Sequence, residues 1–309
     1  MYTLRSLRYC IDNYLLYIKD IKKVSSNTVL AYSEDLKHLS AMLDEDMPIT
    51  AVTVEDIRSC IASLSRQKYA ARSINRFIVA VRGVFAYCKK KQYIQDNVTL
   101  DLKTLKEPEI LPRFMTQGEI DELCVLPEKK EILWGTRDKA LFEMFYSSGC
   151  RVSELLSLKL SDFTQGYKSA VVKGKGSKER YVFFEKDAVD ALQAYLLDRE
   201  RLFPASGKRG AKPVDTVFLN QQGGPLTANG VRYILRRYTG PEGTNKTLNP
   251  HAFRHTFATA MLLNGADVRV VQEMLGHESL NTTQRYTHLT TQRLKDVYRQ
   301  AFPHSGKRD

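Results

Sequence analysis

The chain of 309 residues lacks a hydrophobic run long enough to cross a membrane. Its longest uninterrupted apolar stretch, around residues 77–81, has about five residues, whereas a helix that spans a bilayer needs roughly 20. The first residues also show no pattern of a secretory signal peptide. We therefore expect a soluble, cytoplasmic protein with no membrane partner.

Cysteine is also scarce and irregularly placed. The five cysteines are an odd number, and no two of them form a Cys-x-x-Cys pair. This pattern argues against a disulfide framework and against a structural zinc site, so we expect a reducing compartment. The five positions are Cys10, Cys60, Cys88, Cys124 and Cys150.

Acidic side chains are too few to balance the basic ones. The chain has 47 lysines and arginines against 35 aspartates and glutamates, a formal net charge of +12. Divided at Pro108, it carries +5 in the first part (17 basic, 12 acidic) and +7 in the rest (30 basic, 23 acidic). Nucleic acid, an anionic membrane or an acidic protein could match this charge, and a solvated basic surface is the plain alternative. Because both parts are basic, the pattern favours a clamp around a long polyanion.

The length and the 43% hydrophobic content are sufficient for two folded domains and exclude a disordered or collagen-like chain. Residues 1–102 are predicted to form about four helices, because apolar residues recur at three-and-four spacing after helix-start signals. An extended linker is predicted over residues 103–113, which include two prolines. The start signals are Ser26 to Thr28, the possible capping box of Thr53 with Asp56, and Ser73.

A second domain over residues 114–309 is predicted to combine helices with one β-hairpin. Two β-rich segments, 167–172 and 179–184, flank a basic turn with two glycines, which is typical of a hairpin with a basic tip. The predicted helical features are a capping box at Thr116 and Glu119, a helix over 137–146 that ends at Ser147 to Gly149, and helices from about Asp187 and from Asn229 to about Ala301.

One candidate site lies at a predicted helix start, where Asn249 can serve as the cap and Pro250 fits the first turn. His251 and Arg254 are three residues apart, so they share a helix face near the positive end of the helix dipole. That face would attract a phosphate. His255 could join His251 on a zinc ion, but no glutamate, cysteine or carboxylate cluster completes a ligand set, and a packed or hydrogen-bonded His255 is the alternative.

Two further clusters carry groups that could take part in chemistry. His277 follows Gly276, which we expect to end a helix, and Tyr286 comes nine residues later. A lone tyrosine at helical spacing is more often a core residue than a nucleophile, but neighbouring Arg and His side chains could stabilise the charge that develops during an attack. Arg151 follows the predicted helix break and faces Glu154 one turn later, by itself a common surface ion pair.

Taken together, these clusters resemble the catalytic domain of the tyrosine recombinases, also called phage-integrase-type recombinases. Gly-x-Arg-Val-Ser-Glu-Leu at residues 149–155, the lysine hairpin, His-x-x-Arg, Leu-Gly-His and the terminal tyrosine occur in the order of that family. The tail, from Gln292 to His304, resembles the Xer branch, although Phe302-Pro303 stands where that branch usually has His-Pro. The segments similar to the family's N-terminal core-binding domain are Ser26-Asn27-Thr28-Val29, Tyr32 and Asp35-Leu36.

The resemblance implies a mainly α fold with a small β-hairpin sheet and two domains. Residues 1–102 would form a helical, SAM-like core-binding domain that binds DNA. Residues 114–309 would form a mixed α/β catalytic domain with a C-terminal docking segment. The implied catalytic residues are Arg151, Lys175, His251, Arg254, His277 and Tyr286, with Glu154 supporting them from behind.

Within that set the resemblance makes Tyr286 the nucleophile and Lys175 the general acid that protonates the leaving 5′-hydroxyl. Arg151 and Arg254 would hold the scissile phosphate, since a planar guanidinium matches two phosphate oxygens at once. His251 can accept the tyrosine proton. The resulting 3′-phosphotyrosine stores the bond energy, so the implied reaction needs no ATP, no metal and no other cofactor.

The implied partner is double-stranded DNA at a specific site, bound by four protomers of this chain or of this chain and a related recombinase. A Xer-like role in chromosome dimer resolution is favoured, with a phage or mobile-element integrase of the same family as the alternative. A type IB topoisomerase, a catalytically silent DNA-binding protein and a zinc protein are further alternatives. The base-reading residues stay open, because Arg72, Arg76 and Arg232 could equally contact phosphates.

Overall fold

A computed structural model describes the chain over residues 5–107, 115–130, 132–174, 179–204, 214–240, 250–276 and 291–303. The chain divides into two compact units, Met1–Ile110 and Leu111–Asp309, and each has its own hydrophobic core. The expectation of two domains in a mainly helical chain is confirmed. The finer boundaries at residues 102 and 114 stay a prediction.

The described part of the first unit is built from four α-helices: α1 (Leu7–Leu16), α2 (Ser26–Met42), α3 (Val54–Arg66) and α4 (Ala71–Lys90). A π-helical turn over Tyr17–Ile21 continues α1, and a short 3₁₀ turn over Ile49–Ala51 precedes α3. The longest helix, α4, carries the predicted apolar stripe, which is buried against α1, α2 and α3. The buried residues of this stripe include Ile74, Phe77, Ile78, Val81, Val84 and Phe85.

Local hydrogen bonds explain where two of these helices begin. The capping box of α3 is confirmed, because Thr53 Oγ1 accepts from the Asp56 N–H at 3.2 Å and Asp56 Oδ2 accepts from the Thr53 N–H at 2.9 Å. The predicted cap of α2 is wrong by one residue. Ser25, with an extended backbone, accepts from the Thr28 N–H at 3.3 Å, and Ser26 is already helical. The start of α4 also precedes the predicted Ser73 by two residues, without a side-chain cap.

The start of the predicted linker packs on the first unit. The side chain of Asn75 on α4 binds both backbone polar groups of Leu105. Its Oδ1 accepts from the Leu105 N–H at 2.7 Å, and its Nδ2 donates to the Leu105 carbonyl at 3.0 Å. Its amide also donates to Glu107 at 2.8 Å. The side chain of Arg82 donates to the Leu102 carbonyl. One face of α4 therefore anchors the chain as far as Glu107.

The second unit contains eight α-helices and one two-stranded sheet in its described residues. The helix that lies at the centre of this unit is α6, whose residues from Ala140 to Ser148 are all buried and pack against α5, α8 and α10. The elements in chain order are α5 (Gln117–Lys129), α6 (Gly135–Ser148), α7 (Val152–Ser157), β1 (Ser169–Lys173), β2 (Glu179–Phe183), α8 (Lys186–Leu202), α9 (Ala228–Thr239), α10 (Pro250–Leu263), α11 (Val268–Leu275) and α12 (Thr291–Ala301).

The predicted hairpin is confirmed. Strands β1 and β2 pair antiparallel, with Ser169 opposite Phe183 and Lys173 opposite Glu179. Side chains alternate between the two faces of a strand, so Arg180 lies on the same face as the buried Val182. This places a charged side chain toward the interior of the unit.

Helix α12 packs on its own unit. The Tyr298 hydroxyl lies 2.8 Å from Ser147 Oγ and donates to the Ser147 carbonyl at 2.9 Å, and the Tyr298 ring stacks on Phe302 with centroids 5.1 Å apart. Leu294 and Val297 complete the contact. The apolar side of this segment, which the resemblance makes a docking segment, therefore faces the core of its own domain in this structure.

Two expectations about composition can be compared with the described structure. All five cysteines are buried, and none forms a disulfide bond. In the described ranges, no helix combines the length and the apolar character needed to cross a bilayer.

Candidate active site

A helix break positions the first candidate residue. Helix α6 ends at Gly149, whose φ of 59° is left-handed, and a Cβ at this position would lie 2.6 Å from Phe257 Cδ1. Glycine tolerates both the conformation and the close approach. The chain then passes through Cys150 to Arg151, which precedes α7 as its N-cap.

Arg151 and Glu154 are joined twice. The Arg151 N–H donates to Glu154 Oε2 at 2.8 Å, and Arg151 Nη1 donates to Oε1 at 2.7 Å. The interpretation as a surface ion pair is wrong, because Glu154 is only 3% exposed. A carboxylate buried to this degree depends on its hydrogen-bond partners. The Arg151 side chain is 34% exposed and remains accessible to an anion from solvent.

Arg254 approaches the same point from α10. Its Nη1 donates to the Gly149 carbonyl at 2.9 Å and its Nη2 to the Leu275 carbonyl at 2.6 Å. Burial and the nearby charges of Arg151 and Arg180 lower the pKa of Arg254 to about 10. The guanidinium is still charged at neutral pH, so a positive charge is held here with little solvation.

A third arginine, which sequence reasoning missed, completes the group. Arg180 on β2 binds both carboxylate oxygens of Glu154, with Nη1 to Oε1 at 2.9 Å and Nη2 to Oε2 at 2.8 Å. Its Nε donates to the Met274 carbonyl at 2.8 Å. The available signal was the strand alternation that aligns Arg180 with Val182, because a charged residue on an inward face needs a partner there.

We call Arg151, Glu154, Arg180 and Arg254 the arginine cluster. Its three arginines converge on the end of α11, which Gly276 terminates as predicted with a left-handed φ of 65°. The last carbonyls of a helix lack partners within the helix, and the negative end of its dipole favours cations. Three consecutive carbonyls accept one arginine each: Met274 from Arg180, Leu275 from Arg254, and Gly276 from Arg151 at 3.1 Å.

Glu154 is the single carboxylate of the cluster. Burial alone would raise its pKa, but hydrogen bonds from Arg180 and from the Arg151 backbone lower the pKa to about 2. The carboxylate is therefore ionised throughout the physiological range. Three arginines and one glutamate leave a formal charge of +2, which suits the binding of a phosphodiester.

Both units of the chain match family models. Residues 11–92 match the phage integrase N-terminal SAM-like domain, and residues 113–293 match the phage integrase family. The second match covers more than half of the chain and contains the whole arginine cluster. The chain belongs to the phage integrase family.

Within the phage integrase family, the chain is similar to curated proteins named tyrosine recombinase XerC. It is 42% identical over 300 residues to the XerC of Treponema denticola, which covers 95% of this chain and 98% of the relative. Identity to the XerC of Halalkalibacterium halodurans is 39% over 296 residues, covering 95% and 97%. These matches make the chain a Xer-like site-specific tyrosine recombinase, as the sequence motifs predicted.

Solved structures of integrases and recombinases share the fold. The Tn1549 transposon integrase in complex with circular intermediate DNA gives a TM-score of 0.67 at 20% identity, covering 93% of this chain and 98% of that one. XerH bound to its difH substrate in a pre-cleavage complex gives 0.66 at 23% identity, covering 94% of each chain. The two-domain, mainly helical fold class is confirmed.

The structure brings some of the predicted site residues of this family member together. Arg151, Glu154 and Arg254 meet in the arginine cluster, whereas His251 lies one turn before Arg254 with an exposed side chain. His255 is partly exposed on the same helix. Within the described ranges, no group of three or more His, Cys, Asp or Glu side chains could hold a metal ion. Three predicted residues lie outside the described ranges: Lys175, His277 and Tyr286.

Proposed function

We propose that this Xer-like recombinase cuts and rejoins DNA at a specific site through a covalent 3′-phosphotyrosine. The observation that carries the proposal is the arginine cluster, in which Arg151 and Arg254 donate to neighbouring carbonyls at the end of one helix. A phosphodiester repels an oxygen nucleophile, and more negative charge develops on its non-bridging oxygens in the transition state. Two adjacent guanidiniums stabilise that charge.

In the proposed reaction, the Tyr286 oxygen attacks the scissile phosphorus, and the bond from phosphorus to the 5′ oxygen breaks. His251 accepts the tyrosine proton, and Lys175 donates a proton to the leaving 5′ oxygen. Arg151 and Arg254 bind the non-bridging oxygens throughout. His277 completes the set of phosphate-binding donors, and Glu154 supports the clamp from behind.

The proposal includes independence from ATP and from metal ions. The phosphotyrosine retains the energy of the broken bond, so the 5′-hydroxyl of a second strand can reverse the step without ATP. The two guanidiniums supply the positive charge that a metal ion would otherwise bring. Chelation with EDTA should leave adduct formation unchanged, and loss of the adduct under chelation would refute this part.

We propose double-stranded DNA as the partner, contacted by both units. Residues 1–102 serve as the core-binding domain, residues 103–113 as the linker and residues 114–309 as the catalytic domain. Both sides of Pro108 are basic, at +5 and +7, which supports phosphate contacts from each.

Exchange of strands between two duplexes requires four active tyrosines, so we propose a tetramer on DNA, of this chain alone or with a related recombinase. The C-terminal docking segment is part of this proposal. Leu294, Val297, Tyr298 and Ala301 lie against their own domain, so docking on a neighbour requires α12 to leave that surface.

The XerC relatives, at 35–42% identity over almost the whole chain, favour a role in chromosome dimer resolution over one in a mobile element. Such a role places the protein in the cytoplasm. An adduct at one chromosomal position, present once per genome, would support it. Adducts confined to the ends of a mobile element would contradict it.

The deciding experiment maps covalent adducts on genomic DNA. Purified protein is incubated with sheared genomic DNA, the mixture is denatured with SDS, and protein-linked fragments are sequenced. Wild type should give fragments with a blocked 3′ end and a free 5′-hydroxyl at one defined site, and Tyr286→Phe should give none. The control Tyr233→Phe alters a tyrosine that is 53% exposed and should keep the adduct. Adducts from Tyr286→Phe would refute the nucleophile, and adducts without site preference would favour a topoisomerase.

A further inference from the structure

Arg180 has contacts that suit a role in the reaction, because its side chain bonds to the same carboxylate and the same helix end as the two clamp arginines. Its side chain is 12% exposed, and three of its donors have partners. Two bind the oxygens of Glu154, and the third binds the Met274 carbonyl. The guanidinium thus connects the hairpin strand, the start of α7 and the end of α11.

We propose that Arg180 is a positioning residue for strand cleavage, which fixes Glu154 and the end of α11 so that Arg151 and Arg254 point at one phosphate. This inference rests on the proposed function. It adds to the sequence-derived site a residue whose described hydrogen bonds go to Glu154 and to the Met274 carbonyl.

The first step of the argument concerns the carboxylate of Glu154. Each of its oxygens accepts two hydrogen bonds, one from Arg151 and one from Arg180, at distances of 2.7 to 2.9 Å. Without Arg180, the buried carboxylate keeps bonds only to Arg151. One oxygen would then be held by the Arg151 backbone N–H and the other only by the Arg151 side chain, so Arg151 Nη1 would lose a carboxylate oxygen that Arg180 fixes independently.

The second step concerns the end of α11. The Met274 carbonyl that Arg180 binds is followed directly by the carbonyls that bind Arg254 and Arg151. A shift of this helix end would displace the acceptors of both clamp arginines together. Arg180 therefore acts on Arg151 through both Glu154 and α11, and on Arg254 through α11.

The third step is that the geometry requires arginine. A planar guanidinium can bind two carboxylate oxygens and a carbonyl at fixed angles, whereas the ammonium of lysine is a single point of charge. Arg180→Lys retains the positive charge but cannot reproduce the three contacts at once. It separates the effect of geometry from the effect of charge.

The test compares Arg180→Lys and Arg180→Gln with a matched control, Arg199→Lys. Arg199 is also partly buried in the second unit and donates to the carbonyls of Val217 and Val214 at 2.9 and 2.8 Å. These two bonds do not involve the arginine cluster. Each protein is assayed for DNA affinity, for unfolding, and for the single-turnover rate of adduct formation on a nicked duplex that carries the mapped site.

We expect Arg180→Lys to bind this duplex within about threefold of wild type and to form the adduct on the order of 100-fold more slowly, the scale of a roughly 1 Å misplacement at a reacting centre. Arg199→Lys should lose comparable stability and keep the wild-type rate. Equal rate losses in the two variants, or a wild-type rate in Arg180→Lys, would overturn the proposal.

The pH profile provides a readout that a purely structural role would not change. Glu154 faces Arg151, Arg180, Arg254 and Cys150. Burial raises its pKa, and Arg180 is the strongest of the groups that lower it. In Arg180→Gln the pKa of Glu154 should rise, so cleavage should fall on acidification at a pH where wild type is still active. If the cleavage rate of Arg180→Gln falls at the same acidic pH as that of wild type, the proposed role is contradicted.

These outcomes are distinct from failure of the proposed function. If wild type forms no adduct, or if Tyr286→Phe forms one, the recombinase mechanism fails whatever Arg180 does. If wild type forms the Tyr286 adduct and Arg180→Lys matches it in rate, only the positioning role fails.

Discussion

Neutralising Glu154 should lower the unfolding free energy of the second unit more than most single substitutions on the surface of that unit. Glu154→Gln keeps the size of the side chain but leaves three arginines without their buried counter-charge. The pKa of Glu154 lies at about 2 instead of its usual 4.5, and at about 1.36 kcal/mol per pKa unit the ionised form contributes about 3 kcal/mol. This agrees with the roughly 3–5 kcal/mol lost when one partner of a buried ion pair is removed.

Urea unfolding followed by tryptophan fluorescence measures this loss. Trp134, the single tryptophan of the chain, is buried in the second unit and reports on that unit. The control is Asp215→Asn, because Asp215 forms an exposed pair with Lys159 at 3.2 Å and should contribute less than about 1 kcal/mol. If Glu154→Gln loses no more free energy of unfolding than Asp215→Asn, the account of the arginine cluster is wrong.

The difference in unfolding free energy between wild type and Glu154→Gln should also depend on pH in a defined direction. The folded pKa of Glu154 is lowered, so its contribution is fully present above the usual value of 4.5 and is lost as the pH falls toward about 2. The difference in unfolding free energy between wild type and Glu154→Gln should therefore be constant from pH 7 to about pH 5. A difference that already shrinks between pH 7 and pH 6 would show that Glu154 is not held in its ionised form as described.

Three further predictions concern the glycine break, a helix cap and salt. Gly149→Ala should lower the free energy of unfolding by about 1–3 kcal/mol more than Gly166→Ala. Both glycines have a φ near 60° to 80°, but only a Cβ at Gly149 would meet Phe257, at 2.6 Å. Equal losses in urea unfolding would refute the close approach. Thr116→Ala should lower the unfolding free energy of the second unit by about 1 kcal/mol, because Thr116 Oγ1 accepts from the Glu119 N–H at 3.3 Å, and an unchanged midpoint would contradict this cap. DNA affinity should fall by about 10³ to 10⁵ between 50 and 200 mM salt if six to ten phosphates are contacted, and a nearly flat salt dependence measured by fluorescence anisotropy would refute the basic clamp.

The parts of the fold that sequence predicted are those set by local chemistry. The capping boxes at Thr53 and Thr116, the glycine end of α6 at Gly149 and the pairing of β1 with β2 all depend on residues that are close together in the sequence. The predicted cap of α2 was wrong by one residue, and this error also comes from neighbouring residues. Adjacent serines offer two possible caps, and the backbone conformation of Ser25 decides between them.

The site was only partly predictable because burial of a charge depends on distant partners. Arg151 and Glu154 looked like a solvated pair, since their spacing gives no information about what covers them. Arg180 looked like one of many basic residues, and its partners lie 26 and 94 positions away along the chain. Sequence patterns can indicate that a strand face is inward, but they do not identify the carboxylate or the helix end that meets it.

The convergence of three arginines on one helix end has a consequence for how this protein could evolve or be engineered. The free cluster holds an excess of positive charge in a poorly solvated place, as the lowered pKa of Arg254 indicates, and a phosphate would supply the missing counter-charge. Selection for thermostability of the free protein would therefore favour loss of Arg254, whereas Arg151 and Arg180 offset the buried charge of Glu154, and this is a conflict between stability and activity. Selection in the presence of its DNA would preserve Arg254, because a ligand bound only to the folded state stabilises that state. Directed evolution of this enzyme for heat resistance should therefore be carried out on the DNA-bound protein.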